Sequence, residues 1–211
     1  MKKFAITAAF TLAAVACAPL AWAAQETRDL PAFTAIATQG AFTLVVNAGQ
    51  KHSFEVSGDE GELAALETKV VDGELQISLP KKKSFKWGGR AKITIGMEQL
   101  QKMTMEGVGD TTLNALAGES FTLRYQGVGY LNANGKVRHF MLKAEGVGAV
   151  NAKQLEAQSV DASLQGVGSV SVRATESLNA KVEGLGSLSY YGKPAQVRQS
   201  AEGIGSIRAA E

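Results

Sequence analysis

Residues 103–113 read MTMEGVGDTTL, and the frame returns five times: LRYQGVGYLNA at 123–133, LKAEGVGAVNA at 142–152, ASLQGVGSVSV at 162–172, AKVEGLGSLSY at 180–190 and QSAEGIGSIRA at 199–209. Every copy centres on a Gly-X-Gly tripeptide in which X is Val, Leu or Ile. The glycines are Gly107 and Gly109, Gly127 and Gly129, Gly146 and Gly148, Gly166 and Gly168, Gly184 and Gly186, and Gly203 and Gly205. Steps of 20, 19, 20, 18 and 19 residues separate the first glycines. Self-similarity at so constant a period marks a stacked repeat architecture.

Around each tripeptide, apolar residues alternate with polar ones, the period of a half-buried strand. Two before the first glycine stand Met105, Tyr125, Ala144, Leu164, Val182 and Ala201, and four after it Thr111, Leu131, Val150, Val170, Leu188 and Ile207. The intervening positions are mostly polar. Each repeat thus predicts two short strands and a corner, with glycine where the chain turns at positive φ or where the next coil's backbone comes close. The aliphatic X is expected to plug the corner from inside. At about 3.3 Å per residue, 19 residues give a perimeter of about 60 Å, which suits a coil of two or three strands and leaves no room for a full helix. The predicted fold is all-β: a parallel β-helix of about 19-residue coils, right-handed by the general chirality of parallel crossovers. A nucleotide-binding reading of Gly-X-Gly needs a following helix and a third glycine. Neither is present.

Met1 to Ala23 reads as an export signal, with Lys2 and Lys3 ahead of an apolar run from Phe4 to Ala18 and small residues in Ala21-Trp22-Ala23. Cleavage is expected before Ala24. Lipid modification at Cys17 is the rival reading, disfavoured because Ala14-Val15-Ala16 matches the usual leucine-led pattern poorly. The apolar run also falls short of a membrane span. Removing the signal leaves 20 basic and 20 acidic side chains. Such a balance argues against a dedicated nucleic-acid binder. Cys17 is the only cysteine, so the exported chain would carry neither disulfide nor thiol chemistry.

Residues 24–99 are expected to form an irregular β cap continuous with the repeats at 100–211. Candidate strands are Phe33–Thr38, Ala41–Asn47, His52–Ser57, Thr68–Val71, Glu74–Leu79 and Ala91–Ile95, with Asp72-Gly73 as a hairpin signal. Asp59 and Glu62 resemble a capping pair for a short helix reaching about Leu66. Gln39-Gly40-Ala41 with Phe42, Leu44 and Val46 reads as a degenerate first coil.

The order Arg28-Asp29-Leu30 with Phe33 and Ile36, then Gly40-Ala41-Phe42, the strand Gly73-Glu74-Leu75-Gln76-Ile77 and a glycine-punctuated β array behind Leu100 resembles the head GIN domain family of exported bacterial proteins, the auto-transporter adhesins. The resemblance spans almost all of the exported chain. It implies a β-helical exported protein with a role in adhesion or surface binding, and it brings no catalytic residue. The chain closes in its last repeat without a translocator barrel, so self-secretion is not expected.

Two constellations are candidates for binding. Glu106, Gln126, Glu145, Gln165, Glu183 and Glu202 each precede a tripeptide and are expected to stack along one outer edge. Carboxylates about 4.8 Å apart repel by roughly 0.9 kcal/mol in water, and interleaved glutamines relieve this by donating to the neighbouring acids. Such a column is first a solvated ladder; a cation site or a strip for a sugar chain is the sharper alternative. The second constellation is Lys81, Lys82, Lys83, Lys86 and Arg90, interleaved with Phe85 and Trp87, a loop suited to an anionic polysaccharide or to lipid headgroups. No metal or cofactor is expected. Calcium-binding β-rolls carry an Asp-bearing nine-residue repeat that this chain lacks.

Enzyme signatures are thin. His52 and His139 lie in unrelated sections, no nucleophile elbow is present, and Asp161 near Lys143, Lys181 and Arg198 is the only acid–base grouping that a polysaccharide lyase or hydrolase reading would use. The expectation is a non-enzymatic β-solenoid of the cell envelope, periplasmic or on the cell surface, that binds polysaccharide or another envelope component. The alternative is a carbohydrate-active enzyme. Self-association through the edge of the final coil, Gly203 to Ala209, is a further expectation.

Overall fold

A computed structural model describes residues 24–79 and 91–211. The expected export signal at Met1 to Ala23, with Cys17, lies outside these residues. The chain runs β1 (Ala24–Thr27), β2 (Ala35–Ala41), β3 (Thr43–Ala48), β4 (Ser53–Gly58), α1 (Glu60–Ala65), β5 (Glu67–Val71), β6 (Glu74–Ser78), β7 (Lys92–Met97), β8 (Lys102–Tyr191), β9 (Gln196–Gly203) and β10 (Ser206–Ala209). All ten strands join one open sheet, β1-β4-β7-β3-β8-β2-β6-β5, with β9 and β10 also seated on β8. The protein is all-β.

β8 runs for 90 residues. Straight, it would reach about 300 Å, but it lies beside itself instead. A Cβ placed on Gly127 would stand 2.3 Å from the carbonyl oxygen of Gly107, and Gly146 meets Gly127, and Gly166 meets Gly146, in the same way. β9 and β10 continue the pattern in parallel, with Ser177 opposite Gln196, Gly184 opposite Gly203 and Ser187 opposite Ser206. Equivalent residues of successive repeats are therefore neighbours. Their apolar side chains form one interior that includes Leu123, Leu142, Leu164 and Val182, all buried as alternation requires. Within it the Phe121 and Phe140 rings stack with centroids 5.8 Å apart.

The N-terminal strands close one end of this array. β2 lies parallel to β8 with Gln39 opposite Glu106 and Gly40 opposite Gly107, so Gln39-Gly40-Ala41 occupies the rung ahead of the first tripeptide. On its far side β6 is parallel to β2, and β5 turns back antiparallel through Asp72 and Gly73, whose φ of 50° and 74° suit a two-residue hairpin. β3 sits on β8 and carries β7 in parallel, after which β4 and β1 pair antiparallel. Asp59 occupies the N-cap of α1, but its side chain makes no capping bond; its carbonyl accepts from Glu62 and Leu63 instead. Arg28 fastens the corner together, donating to the Leu66 and Leu63 carbonyls at 2.8 and 3.2 Å and to Thr68 Oγ1 at 3.0 Å while pairing with Glu26.

The opposite end differs. Every residue of β9 is exposed, including Val197 and Ala201, whose counterparts Leu178 and Val182 one repeat earlier are buried.

Candidate functional site

The acid and amide column is assembled as the repeat demands. Gln126 Nε2 donates to Glu145 Oε2, and Gln165 Nε2 donates to Glu183 Oε2. Gln39 extends the column beyond Glu106, and Glu202 stands directly beside Glu183. Two lysines on the same outer face complete it, Lys143 pairing with Glu145 and Lys181 with Glu183. The Lys143 and Gln126 hydrogen bonds hold the Glu145 carboxyl below its ordinary range, and Lys181 and Gln165 do the same for Glu183. In return Glu183 raises the Lys181 ammonium. The column thus holds two hydrogen-bonded amide–acid pairs, each glutamine donating to the acid of the following repeat and not to the acids on both sides, and the carboxylates of Glu145 and Glu183 each have both an amide and an ammonium partner.

The tripeptides correct one expectation. Their aliphatic residues do not fill the corner from inside. Val108, Val128, Val147, Val167, Leu185 and Ile204 are 38 to 84% exposed. Alternation runs unbroken through the tripeptide: Met103 and Met105 are buried, Gly107 and Gly109 lie on the same side, and Thr111 and Leu113 are buried after them. Residues at odd offsets, X among them, therefore face solvent. The glycines are needed because a side chain there would meet backbone. At Gly148, φ is +146° and a Cβ would lie 2.1 Å from the Gly129 oxygen.

One edge of the array therefore carries two parallel lines, a polar ladder and an exposed aliphatic row, separated by glycines without side chains. Six rungs at about 4.8 Å make the strip about 24 Å long. On the other side of the aliphatic row stand Asp110, Tyr130, Ala149, Ser169, Ser187 and Ser206, with the Tyr130 hydroxyl accepting from Asn151 at 3.0 Å. Sequence reasoning found the ladder but not the row. Offset parity was the signal that could have found it.

A second line of polar contacts also went unread. Asn114 donates to Asn47 at 2.9 Å and Asn134 to Asn114 at 2.8 Å, while the side-chain Oδ1 of Asn134 accepts from the Ala115 backbone amide. Each asparagine stands seven residues past a first-position glycine, and there they satisfy a bend where Ala115 takes φ +55°. In later repeats the same offset holds Lys153 and Arg173, which bonds the Lys153 carbonyl.

Three of the four residues of the acid–base grouping weighed for catalysis are engaged in other contacts. Lys143 and Lys181 are tied to their glutamates, Asp161 accepts from Asn179, and Arg198 lies opposite Asn179 in the register. His52 packs edge-on against Phe33 and His139 lies beside Glu119, so the two histidines do not meet. Among the described residues no cluster of His, Cys, Asp and Glu is placed to hold a metal ion, and no helix is long and apolar enough to cross a membrane. Lys81, Lys82, Lys83, Lys86, Trp87 and Arg90 lie outside the described residues.

A putative adhesin from Bacteroides fragilis, known from its crystal structure, is 27% identical to this chain with a TM-score of 0.72, over 91% of this chain and 99% of its own. A putative lipid-binding protein from Parabacteroides distasonis is 19% identical (TM-score 0.48, covering 91% and 98%), and a putative adhesin from Parabacteroides merdae 15% identical (TM-score 0.47, covering 91% and 98%). None of the curated proteins matches. The family model described as "Putative auto-transporter adhesin, head GIN domain" matches residues 32–194, most of the chain, and the protein therefore belongs to that family.

Proposed function

We propose that the protein is an exported, non-enzymatic binding module of the cell envelope, built as a right-handed parallel β-helix of about 19-residue coils. Its repeated edge is the surface that receives the partner. Family membership supports an adhesin-like role. The β-helix reading is supported by the parallel 19-residue registers of β9 and β10 on β8 and by the neighbouring glycines of successive repeats.

The observation that carries the functional reading is the exposed row of Val108, Val128, Val147, Val167, Leu185 and Ile204 beside the glutamate and glutamine ladder. Soluble proteins rarely keep a contiguous apolar line in water without a use for it. A sugar chain offers apolar ring faces and a fringe of hydroxyls. The aliphatic row suits the first, and the carboxylates and amides suit the second. With carboxylates as its polar fringe, the strip favours a neutral polysaccharide over an acidic one. The Lys81–Lys83 segment with Trp87 is the proposed contact for acidic chains.

The test is a glycan panel probed with the chain from Ala24 onward, with Trp87 fluorescence as a second readout. Val128→Ser, Val147→Ser and Val167→Ser together are expected to weaken a neutral hit at least tenfold, about 1.4 kcal/mol, while the fold is retained because these side chains are about half exposed and lie outside the buried core. Binding that survives the triple variant removes the strip from the site. Alanine at Lys81, Lys82 and Lys83 is expected to weaken acidic hits only. Release of new reducing or unsaturated ends from a bound glycan would instead establish the carbohydrate-active enzyme.

A further inference from the structure

We propose that two copies of the chain dock end to end through β9, pairing antiparallel about a twofold axis at Ser200. Among the described residues the array is closed by antiparallel strands at one end and by none at the other. At the N-terminal end the antiparallel strands β5, β4 and β1 finish the sheet, whereas β9 has β8 on one side and stands exposed along its whole length. Val197 is 40% exposed although Leu178, its neighbour in the register, is 2% exposed. Natural edge strands are blunted by proline, bulges or inward-pointing charge. β9 has no proline, and its inward positions, Val197, Gln199 and Ala201, carry no charge. It is a strand edge suited to another strand.

Charge selects which strand. Arg198, Ser200 and Glu202 alternate on the outer face, as Asn179, Lys181 and Glu183 do one repeat earlier. Residues directly opposite in an antiparallel pair point to the same face, so a twofold axis must pass through a residue and not between two, or inward side chains would meet outward ones. With the axis at Ser200, Arg198 of each copy falls opposite Glu202 of the other, twice over, and Gln199 falls opposite Ala201. Shifting the axis to Gln199 sets Arg198 against Ser200, and shifting it to Ala201 sets Arg198 against Ile204. Only the Ser200 register pairs both charges. It also answers a local need: Glu202 sits beside Glu183, whose ammonium partner is Lys181, and among the described residues neither Arg198 nor Glu202 belongs to an ion pair. The twofold keeps inward residues of both copies on one side, so the two interiors join. This pairing is independent of the ligand assigned to the repeated edge.

The experiment uses the chain from Ala24 onward in sedimentation equilibrium. Wild type is expected to dimerise. Arg198→Glu and Glu202→Arg each place like charges opposite one another twice, and each is expected to weaken the dimer at least about tenfold. The double variant Arg198→Glu with Glu202→Arg is expected to restore it. Ser200→Cys supplies a second reading, because paired strands hold opposite Cα atoms about 4.5–5.5 Å apart, within disulfide reach. It is expected to cross-link under mild oxidation, whereas Ser163→Cys, in the same column two repeats inward, is not. A wild type that stays monomeric at high micromolar concentration overturns the proposal and leaves the edge to a different partner. So does failure of the double variant to recover, or equal cross-linking of the two cysteine variants.

Discussion

Gly127 and Gly186 occupy the same kind of tripeptide and answer to different neighbours. A methyl group on Gly127 would collide with the Gly107 backbone oxygen at 2.3 Å, while on Gly186 the first atom met is Cδ2 of Leu164, the far end of a flexible side chain. Gly127→Ala is therefore expected to lower stability by about 3 kcal/mol or more, and Gly186→Ala by about 1–2 kcal/mol, as read from urea midpoints. Equal losses would mean that the close backbone approach is not what selects glycine. Tyr125 offers a residue-scale prediction of opposite sign. Its ring is buried in the core, yet its hydroxyl has no hydrogen-bond partner among the described residues. Desolvation, with a smaller contribution from Asp110, pushes the phenol above its usual value. The native state thus holds its proton longer than the unfolded chain, and the stability this implies is complete below about pH 10 and lost as pH rises through the native value. Tyr125→Phe is expected to match or exceed wild-type stability at neutral pH by up to about 1 kcal/mol and to lose less stability in alkali, which pH-dependent urea melts would measure.

At the scale of the element, the ladder makes acid its weak side. Glu145 and Glu183 titrate below their ordinary range because Lys143 and Lys181, with Gln126 and Gln165, bond the ionised form. Their contribution is present above the unfolded carboxylate value, about 4.3, and disappears as pH falls through the lowered native values. The double variant Glu145→Gln with Glu183→Gln is expected to flatten the fall in thermal midpoint below pH 4.5; an unchanged acid profile would show that these bonds add nothing in solution. Elements of this kind were legible where local chemistry decides them. The six candidate strands between Phe33 and Ile95 correspond to β2 through β7, because alternation and the Asp72-Gly73 turn are properties of a few adjacent residues. β1 was not legible. Ala24–Thr27 has no alternation of its own and is a strand because β4 lies beside it. Asp59 opens α1 as expected, though through its carbonyl and not its carboxylate. The asparagine line at Asn47, Asn114 and Asn134 was written in constant spacing and passed unread, since three amides gain meaning only when registers bring them within 3 Å.

For the whole molecule, stability should be graded along the array. Each repeat contacts its neighbours, so a terminal repeat with one neighbour is held less firmly than an internal one. Under dilute conditions that favour the monomer, amide exchange is expected to be fastest in β9 and β10 and slowest in the repeats around Leu142 and Leu164. Uniform protection from β2 to β10 would contradict a neighbour-by-neighbour architecture. Composition and the two-residue and nineteen-residue periods determined, without coordinates, that the chain is all-β, which alternating side chains flanking the internal tripeptides line the interior, though not that the aliphatic residue within each tripeptide faces outward, and that glutamates and glutamines would stand in one file. Those are consequences of covalent geometry repeated in a regular frame. Tertiary structure alone decided the rest. Val197 and Leu178 stand in the same frame with the same chemistry, and one is exposed and the other buried solely because a further strand covers Leu178. The N-terminal end is closed in part by β5, folded back on β6 through the local Asp72-Gly73 turn, and in part because β4 lies antiparallel to β7 and β1, segments far away in the chain; no local signal specifies which distant edge a strand will meet.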